Sequence, residues 1–295
     1  MLLAVPNVSE GRDRDAIDGI QAGFEAGPAL LDVHSDPTHN RSVFTLAGEP
    51  DGVVAGLLAG ARAAVGSIDM RAHEGAHPCI GALDVCPLVY VRPDDRDAAE
   101  RDAGAVAEAI GGELEVPVFL YGALASAPER QERAYFRRGG LPELTRRMEQ
   151  GELDPDRGPD GPHPTAGATL VTARPPLAAF NIELDTPDRE IATAVAVELR
   201  ESGGGLPGVR AIGIELPGER SQVSTNVHDV VAVPLRAVVE EVRRLAEPHG
   251  ARPVEAELVG LVPEAAVEGY PADVPIRDFD PARHVIERRL AGLGR

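Results

Sequence analysis

Residues 68–87 read IDMRAHEGAHPCIGALDVCP, and the choice between helix and loop here decides the architecture around them. His73-Glu74-Gly75-Ala76-His77 spells the HExxH string of zinc proteases. That string works on a helix, where two histidines one turn apart share a face and the glutamate stands beside the metal-bound water. Gly75 lies inside the string and Pro78 follows it at once. Proline biases the residue before it towards extended backbone, so no helix runs on past His77. No third ligand follows at short spacing, and no metal is expected. The stretch reads instead as a bent loop feeding an apolar strand at 85–91. Arg71, His73, Glu74, His77 and Asp84 crowd this loop. His77, between small Ala76 and rigid Pro78, is the candidate general acid–base, because an imidazole takes and returns a proton near neutral pH. Asp84 is the candidate to orient it.

Working outward, strands are expected at 2–6, 30–33, 42–48, 85–91 and 116–121, with helices at 12–26, 50–66 and 94–111. The second half repeats the pattern, with strands at 177–184, 209–216, 222–231 and 254–262 and helices at 187–202 and 235–247. The order is that of a split βαβ unit, met twice. The expectation is an α/β (α+β) chain of two ferredoxin-like βαββαβ subdomains, residues 1–174 and 175–295, with a substrate cleft or tunnel between them. The boundary falls at Arg174-Pro175-Pro176.

With 295 residues there is enough chain for two cores. Aromatics are 3% and Trp is absent, so those cores must rest on Ala, Val, Leu and Ile. The net charge of -19 argues against a nucleic-acid or anionic-membrane partner. An anionic small substrate would need a local cluster of arginines. Every cation is Arg, so a Schiff-base lysine is excluded. Two cysteines, Cys79 and Cys86, make neither a disulfide scaffold nor a zinc site. MLLAVPNVSEGRD has no signal-peptide pattern, no apolar run is long enough to span a bilayer, and a cytoplasmic protein is expected.

Four further segments concentrate polar groups. In Asn7-Val8-Ser9-Glu10-Gly11, Ser9 suits a helix cap and Asn7 a ligand-facing amide. In Asp36-Pro37-Thr38-His39-Asn40-Arg41 a plain turn is one reading. The other has Arg41 gripping a substrate carboxylate with its planar fork. GPDGPHPTAGAT, residues 158–169, is either a flexible linker or a loop whose glycines let backbone approach a flat ligand. Gln222, Ser224 and Asn226 share one face of a strand, and simple solvent exposure explains them.

With these segments in view, the chain resembles the formiminotransferase family, the glutamate formimidoyltransferases. The matching pieces, in order, are VPNVSEGRD, LLDV, NRSVFTLAG, IDMRAHEGAHPCIGALDVCP, VPVFLYG, GPDGPHPTAGAT, FNIEL, IGIEL, QVSTNVHD and ELVGLVP. The resemblance implies transfer of a formimino group from N-formimino-L-glutamate to N5 of tetrahydrofolate, the folate acting as co-substrate, in histidine degradation and one-carbon metabolism. It implies two α/β subdomains with a tunnel, a homodimer, and no cyclodeaminase domain. The family's catalytic histidine falls on His77. Its folate-binding loop falls on Gly158, Pro159, Asp160, Gly161, Pro162, His163, Pro164, Thr165, Ala166 and Gly167. Cys79 and Ile80 stand where the family more often has Arg and Met. His34, at a substrate-facing position, stands where an acidic residue can stand. A transferase with a different one-carbon or amidine donor, and a folate-binding paralogue without catalysis, are the alternatives these departures leave open.

Overall fold

The computed structural model describes residues 1–292. The chain divides into two compact units, Met1–Pro175 and Pro176–Arg295. Together they are a mixed α/β protein with a seven-stranded and a four-stranded sheet and, among the described residues, nine α-helices.

The first unit runs β1 (Leu2–Ala4), β2 (Asn7–Val8), α1 (Arg14–Phe24), β3 (Ala29–Asp36), β4 (Arg41–Gly48), α2 (Pro50–Ser67), β5 (Leu83–Val89), α3 (Arg96–Glu113), β6 (Val118–Leu120), α4 (Arg133–Arg137), α5 (Gly140–Glu149) and β7 (Thr169–Arg174). β1 and β2 are two pieces of one path, each hydrogen-bonded antiparallel to β4 on one side and β5 on the other. β3 closes one edge against β4. Beyond β5 the sheet turns parallel, through β7 to β6.

All seven residues of β5, Leu-Asp-Val-Cys-Pro-Leu-Val, are buried. A strand covered on both faces shows no alternation, and parallel strands are of this kind. One face packs on α1, α2 and α3 through Ile17, Phe24, Leu57, Val106 and Ile110. The other face carries Val85, Phe119 and Leu170 under Phe136 of α4 and Leu144 and Met148 of α5.

One strand lies outside the expected elements, and one expectation is corrected. Residues 169–174, to which the sequence reading gives no element, form β7, the parallel partner of β5 and β6. Its first five residues are buried without alternation, and the Gly/Pro run before it hides its start. Ser9 does not cap α1. Asp13 does, accepting from the Asp15 and Ala16 amides, and acidic side chains suit that position.

The second unit runs β8 (Ala178–Leu184), α6 (Arg189–Leu199), β9 (Val209–Glu215), β10 (Ser221–Val227), α7 (Leu235–Ala246), β11 (Pro253–Val259), α8 (Pro281–His284) and α9 (Ile286–Ala291). Its sheet order is β11-β8-β10-β9, antiparallel throughout. Phe180, Ile182 and Val223 share one core with Val195, Val238 and Val242 of α6 and α7. Gln222 is in register with Glu183, and Glu183 with Glu255. Arg220 and Arg277 converge on Glu183. Gln222 is only 2% exposed, so solvent exposure does not explain that residue.

Candidate functional site

The end of the first sheet where β2 stops and β4 and β5 begin gathers three polar loops: residues 9–13, 36–41 and 68–82. The third has no regular structure, and residues 73–77 contain no helical turn. The HExxH string therefore lacks the geometry that would make it a metal site. Among the described residues no group of three His, Cys, Asp or Glu side chains is arranged to hold a metal ion.

Asn40 knots the three loops. Its Oδ1 accepts the Gly11 amide at 2.9 Å, and its Nδ2 donates to the Glu74 carbonyl at 3.0 Å. Its own backbone is left-handed, with φ 47°, a conformation Asn tolerates better than most residues. Gly75 fits the knot because a Cβ there would lie 2.3 Å from the His39 carbonyl oxygen. Ser9, 2% exposed, fastens the end of β2 to the third loop, donating its hydroxyl to the Gly81 carbonyl at 2.7 Å. A loop without a ladder of its own is thus held by its neighbours' side chains and amides, as buried backbone groups require.

His77 rides on this loop, half-buried. Its Nε2 lies 2.8 Å from Nη1 of Arg41. A guanidinium only donates, so Nε2 is the acceptor and the ring proton sits on Nδ1. That Nδ1 is buried and has no hydrogen-bond partner. Burial, then the charges of Arg41, Arg137, Arg133 and His39, hold the imidazole well below its ordinary pKa. His77 is accordingly neutral at pH 7. The same crowding brings Arg41 down to about 10, by burial first and then by Arg137 and Arg133, so it keeps its charge.

Asp84 is near but is not the orienter the spacing suggests. Its Oδ1 accepts the Ile80 amide at 2.8 Å, and its Oδ2 takes Arg137 in a buried ion pair. Asp84 therefore shapes the loop after His77 and anchors α4, and both its oxygens are spent on that. The carboxylate–imidazole pair in this region is a different one. His39 Nδ1 lies 2.6 Å from Asp36 Oδ2, and the His39 and His77 rings meet edge-on with centroids 6.2 Å apart.

The cationic cluster was legible only in part. Arg41 was expected to meet a carboxylate. Arg133 and Arg137 were not singled out, although their i,i+4 spacing places both on one face of a helix. Burial lowers the pKa of Arg133, and that of Arg174 to about 10, each with Tyr121 opposing the shift. Among the described residues no carboxylate lies within ion-pair distance of Arg41, Arg133 or Arg174. Three half-buried guanidiniums without an ion-paired acid, in a chain of net charge -19, are a candidate anion site.

The remaining expected site residues fall as follows. Asn7 is buried in β2 and donates its amide to the Val5 carbonyl at 2.8 Å. His34 lies within β3, in register with Val43. The loop from Gly158 to Gly167 is no free linker. The Thr165 carbonyl accepts from Met70, the Ala166 carbonyl from Ala82, and the Ala168 amide donates to Ile80. Gly81 and Gly167 pair so closely that a Cβ on Gly167 would lie 2.2 Å from the Ile80 carbonyl oxygen. Gly158, Pro159, Asp160 and Pro164 are exposed, while Gly161, Pro162, His163 and Thr165 are half-buried. His163 closes the tip: its Nδ1 accepts the Ala166 amide at 3.0 Å, and its backbone exchanges two hydrogen bonds with Gly167. The structure thus brings the 158–167 segment to the base of the loop that carries His77 within the first unit.

Comparison with known proteins decides the affiliation of this constellation. The profile of the formiminotransferase domain, N-terminal subdomain, matches residues 1–174, and that of the formiminotransferase domain matches residues 179–269. The chain belongs to the formiminotransferase family. Among relatives in that family, the glutamate formimidoyltransferase of Streptococcus pyogenes is 37% identical over 292 residues, covering 98% of both chains. That of Thermoplasma acidophilum is 35% identical, covering 97% of this chain and 96% of the relative. The formimidoyltransferase-cyclodeaminase of Sus scrofa is 43% identical over 272 residues, and the chain spans about half of that longer protein, 50%. No helix among the described residues is long and apolar enough to cross a membrane.

Proposed function

We propose that this protein is a glutamate formimidoyltransferase, moving the formimino group of N-formimino-L-glutamate to N5 of tetrahydrofolate. The observation that carries the reading is a neutral imidazole, His77, whose Nε2 is covered by an arginine that has no acid of its own. The family affiliation supplies the reaction class.

The chemistry follows from that geometry. A glutamate carboxylate is a bidentate partner for a guanidinium, and Arg41, Arg133 and Arg174 have none. As the carboxylate draws Arg41 off, the Nε2 lone pair of His77 is released. N5 of the folate attacks the amidine carbon, and the N–H proton of that nitrogen passes to Nε2. A proton is then returned to the glutamate nitrogen, the C–N bond to it breaks, and glutamate leaves as the free amine. Two amines exchange one carbon with no net gain or loss of protons. Holding both substrates at one imidazole supplies proximity, and positioned proton transfer contributes about 10²–10⁴ in rate. The loop 158–167 is the folate-binding element in this reading, with glycine backbone lying against the flat pterin. Each unit's strand order is read as a ferredoxin-like half, 1–174 and 175–295, of a cytoplasmic homodimer.

The test is direct. Purified protein is given formiminoglutamate and tetrahydrofolate, and the folate product is followed by absorbance. Wild type turns over, and His77→Gln loses about 10²–10⁴ in kcat with an unchanged circular dichroism spectrum. Full activity in His77→Gln refutes the assignment of the base. Turnover only with another amidine donor moves the function to a related transferase, and folate binding without any transfer makes the protein a binding paralogue.

A further inference from the structure

His39 and Asp36 are more elaborate than their turn needs. The turn between β3 and β4 is already fixed by Asp36 Oδ1, which accepts the Thr38 amide at 2.7 Å and the His39 amide at 2.9 Å. Such a turn leaves the second oxygen for water. Here Oδ2 meets the ring of His39 at 2.6 Å, and that ring belongs to a residue only 8% exposed. Burial alone would raise the carboxyl of Asp36, but hydrogen bonds from the His39 ring and amide overcome it and bring it to about 2. Asp36 is therefore a permanent carboxylate. A carboxylate cannot donate, so the Nδ1 of His39 carries a proton and Nε2 is the nitrogen left for another partner. Nε2 has no hydrogen-bond partner among the described residues, and it is not one of the fully enclosed polar atoms. The ring meets His77 edge-on, 6.2 Å between centroids.

The two imidazoles stand in opposite surroundings. Arg41, Arg137 and Arg133 press on His77, which favours a neutral ring with a lone pair to offer. Asp36 sits against His39 and supplies the counter-charge that an imidazolium needs. Two imidazoles at one site, one covered by an arginine and one braced by a carboxylate, can divide base and acid work between them. A transfer between two amines needs both roles. One nitrogen must lose a proton as it attacks, and the other must gain one before its bond to carbon can break.

We propose that His39, braced by Asp36, is the proton donor to the departing nitrogen, while His77 is the proton acceptor from the attacking one. This rests on the transfer reaction proposed above and assigns its return step. The Nε2–H of the His39 imidazolium protonates the glutamate nitrogen of the tetrahedral intermediate, and the C–N electron pair leaves with that nitrogen. His39 is then neutral and His77 is an imidazolium carrying the proton from N5. One proton passing from His77 to His39 through solvent resets the pair, and the sum is unchanged. Asp36 is a positioning residue: it fixes the tautomer and the ring angle of His39.

The test uses a donor that does not need the acid. In the formimidate ester of 2-hydroxyglutarate, oxygen replaces the glutamate nitrogen, and an alkoxide leaves with less help from a proton than an amine does. His39→Gln and Asp36→Asn are compared with wild type on formiminoglutamate and on this ester. Asp36→Asn keeps the Oδ1 acceptor of the turn, so it carries the test if His39→Gln fails to fold. With formiminoglutamate both variants lose about 10²–10⁴ in kcat, and with the ester they come within about tenfold of wild type. His77→Gln is impaired on both donors. Full activity of His39→Gln or Asp36→Asn on formiminoglutamate overturns the proposal, and so does equal loss on both donors, which marks a structural role. Absence of transfer by the wild type from either donor would instead sink the function itself.

Discussion

Replacing Asn40 by Ala tests the claim that this one amide holds the three polar loops together. Three terms add. The Gly11 amide is buried and loses its only side-chain acceptor, at about 2 kcal/mol for an orphaned buried donor. The Glu74 carbonyl sits in an exposed residue and can turn to water, so that bond contributes about 0.5–1 kcal/mol. Alanine at φ 47° adds about 1 kcal/mol that asparagine largely avoids. The sum is about 4 kcal/mol, which is a large part of the usual 5–15 kcal/mol of a folded domain. Glycine at the same position removes the backbone term and should cost about 3 kcal/mol. Aspartate keeps the acceptor for Gly11 but sets a carboxylate oxygen against the Glu74 carbonyl at a residue only 7% exposed, so a loss of about 2–3 kcal/mol is expected. Urea unfolding by circular dichroism ranks the three variants. Hydrogen exchange read on peptides covering residues 7–13 and 72–78 localises the effect, with Gly11 protection in the alanine variant falling by about 10³. An alanine variant within 0.5 kcal/mol of wild type, with Gly11 still protected, would refute the knot.

Arg137→Met leaves Asp84 as a buried carboxylate with no cation, and a loss of about 3–5 kcal/mol in urea unfolding is expected. Adding Asp84→Asn to that variant should recover part of the loss; an additive double variant would show that the pair does not interact. Acidification should destabilise the protein from about pH 6.5 downward. The pKa of His77 is lowered on folding, so the unfolded chain takes up its proton first and gains up to about 1.4 kcal/mol per pH unit. Thermal melts between pH 7.5 and 5.5 should therefore fall more steeply for wild type than for His77→Gln, and parallel curves would contradict this. Burial pushes the Cys79 thiol up to about 11 and the Cys86 thiol up to about 12, so neither is a thiolate at neutral pH. Iodoacetamide at pH 7.5 should label both slowly in the native state and at ordinary thiol rates in urea.

How far the chain could be read follows from the kind of signal each part carries. Helices α2, α3 and α7 and the antiparallel strands announce themselves by periodicity and by Gly and Pro at their ends. β7 does not, because a short strand buried on both faces has no alternation to show. His77 stood out because Gly75 and Pro78 rule out a helix and leave an imidazole on a bent backbone. Asp84 is the partner that nearness in the chain suggests, seven positions on in the same loop. The pairing is instead made across loops: Arg41 reaches His77 from the start of β4, and Arg137 reaches Asp84 from α4, fifty-three positions away. No spacing rule reports contacts of that range. The Asp36–His39 pair could have been found, since Asp-Pro-Thr-His places both side chains on one turn.

The pairing of Gly81 with Gly167, flanked by backbone bonds on either side, also has a mechanical meaning. Main-chain amides and carbonyls form a stiff linkage, because they have no rotamers in which slack can collect. Whatever displaces the proline-rich segment therefore pulls on Ile80 and Ala82 without a yielding side chain between, and His77 stands three positions along the same strap. A shift of one segment is thereby passed on to the other by a handful of peptide groups.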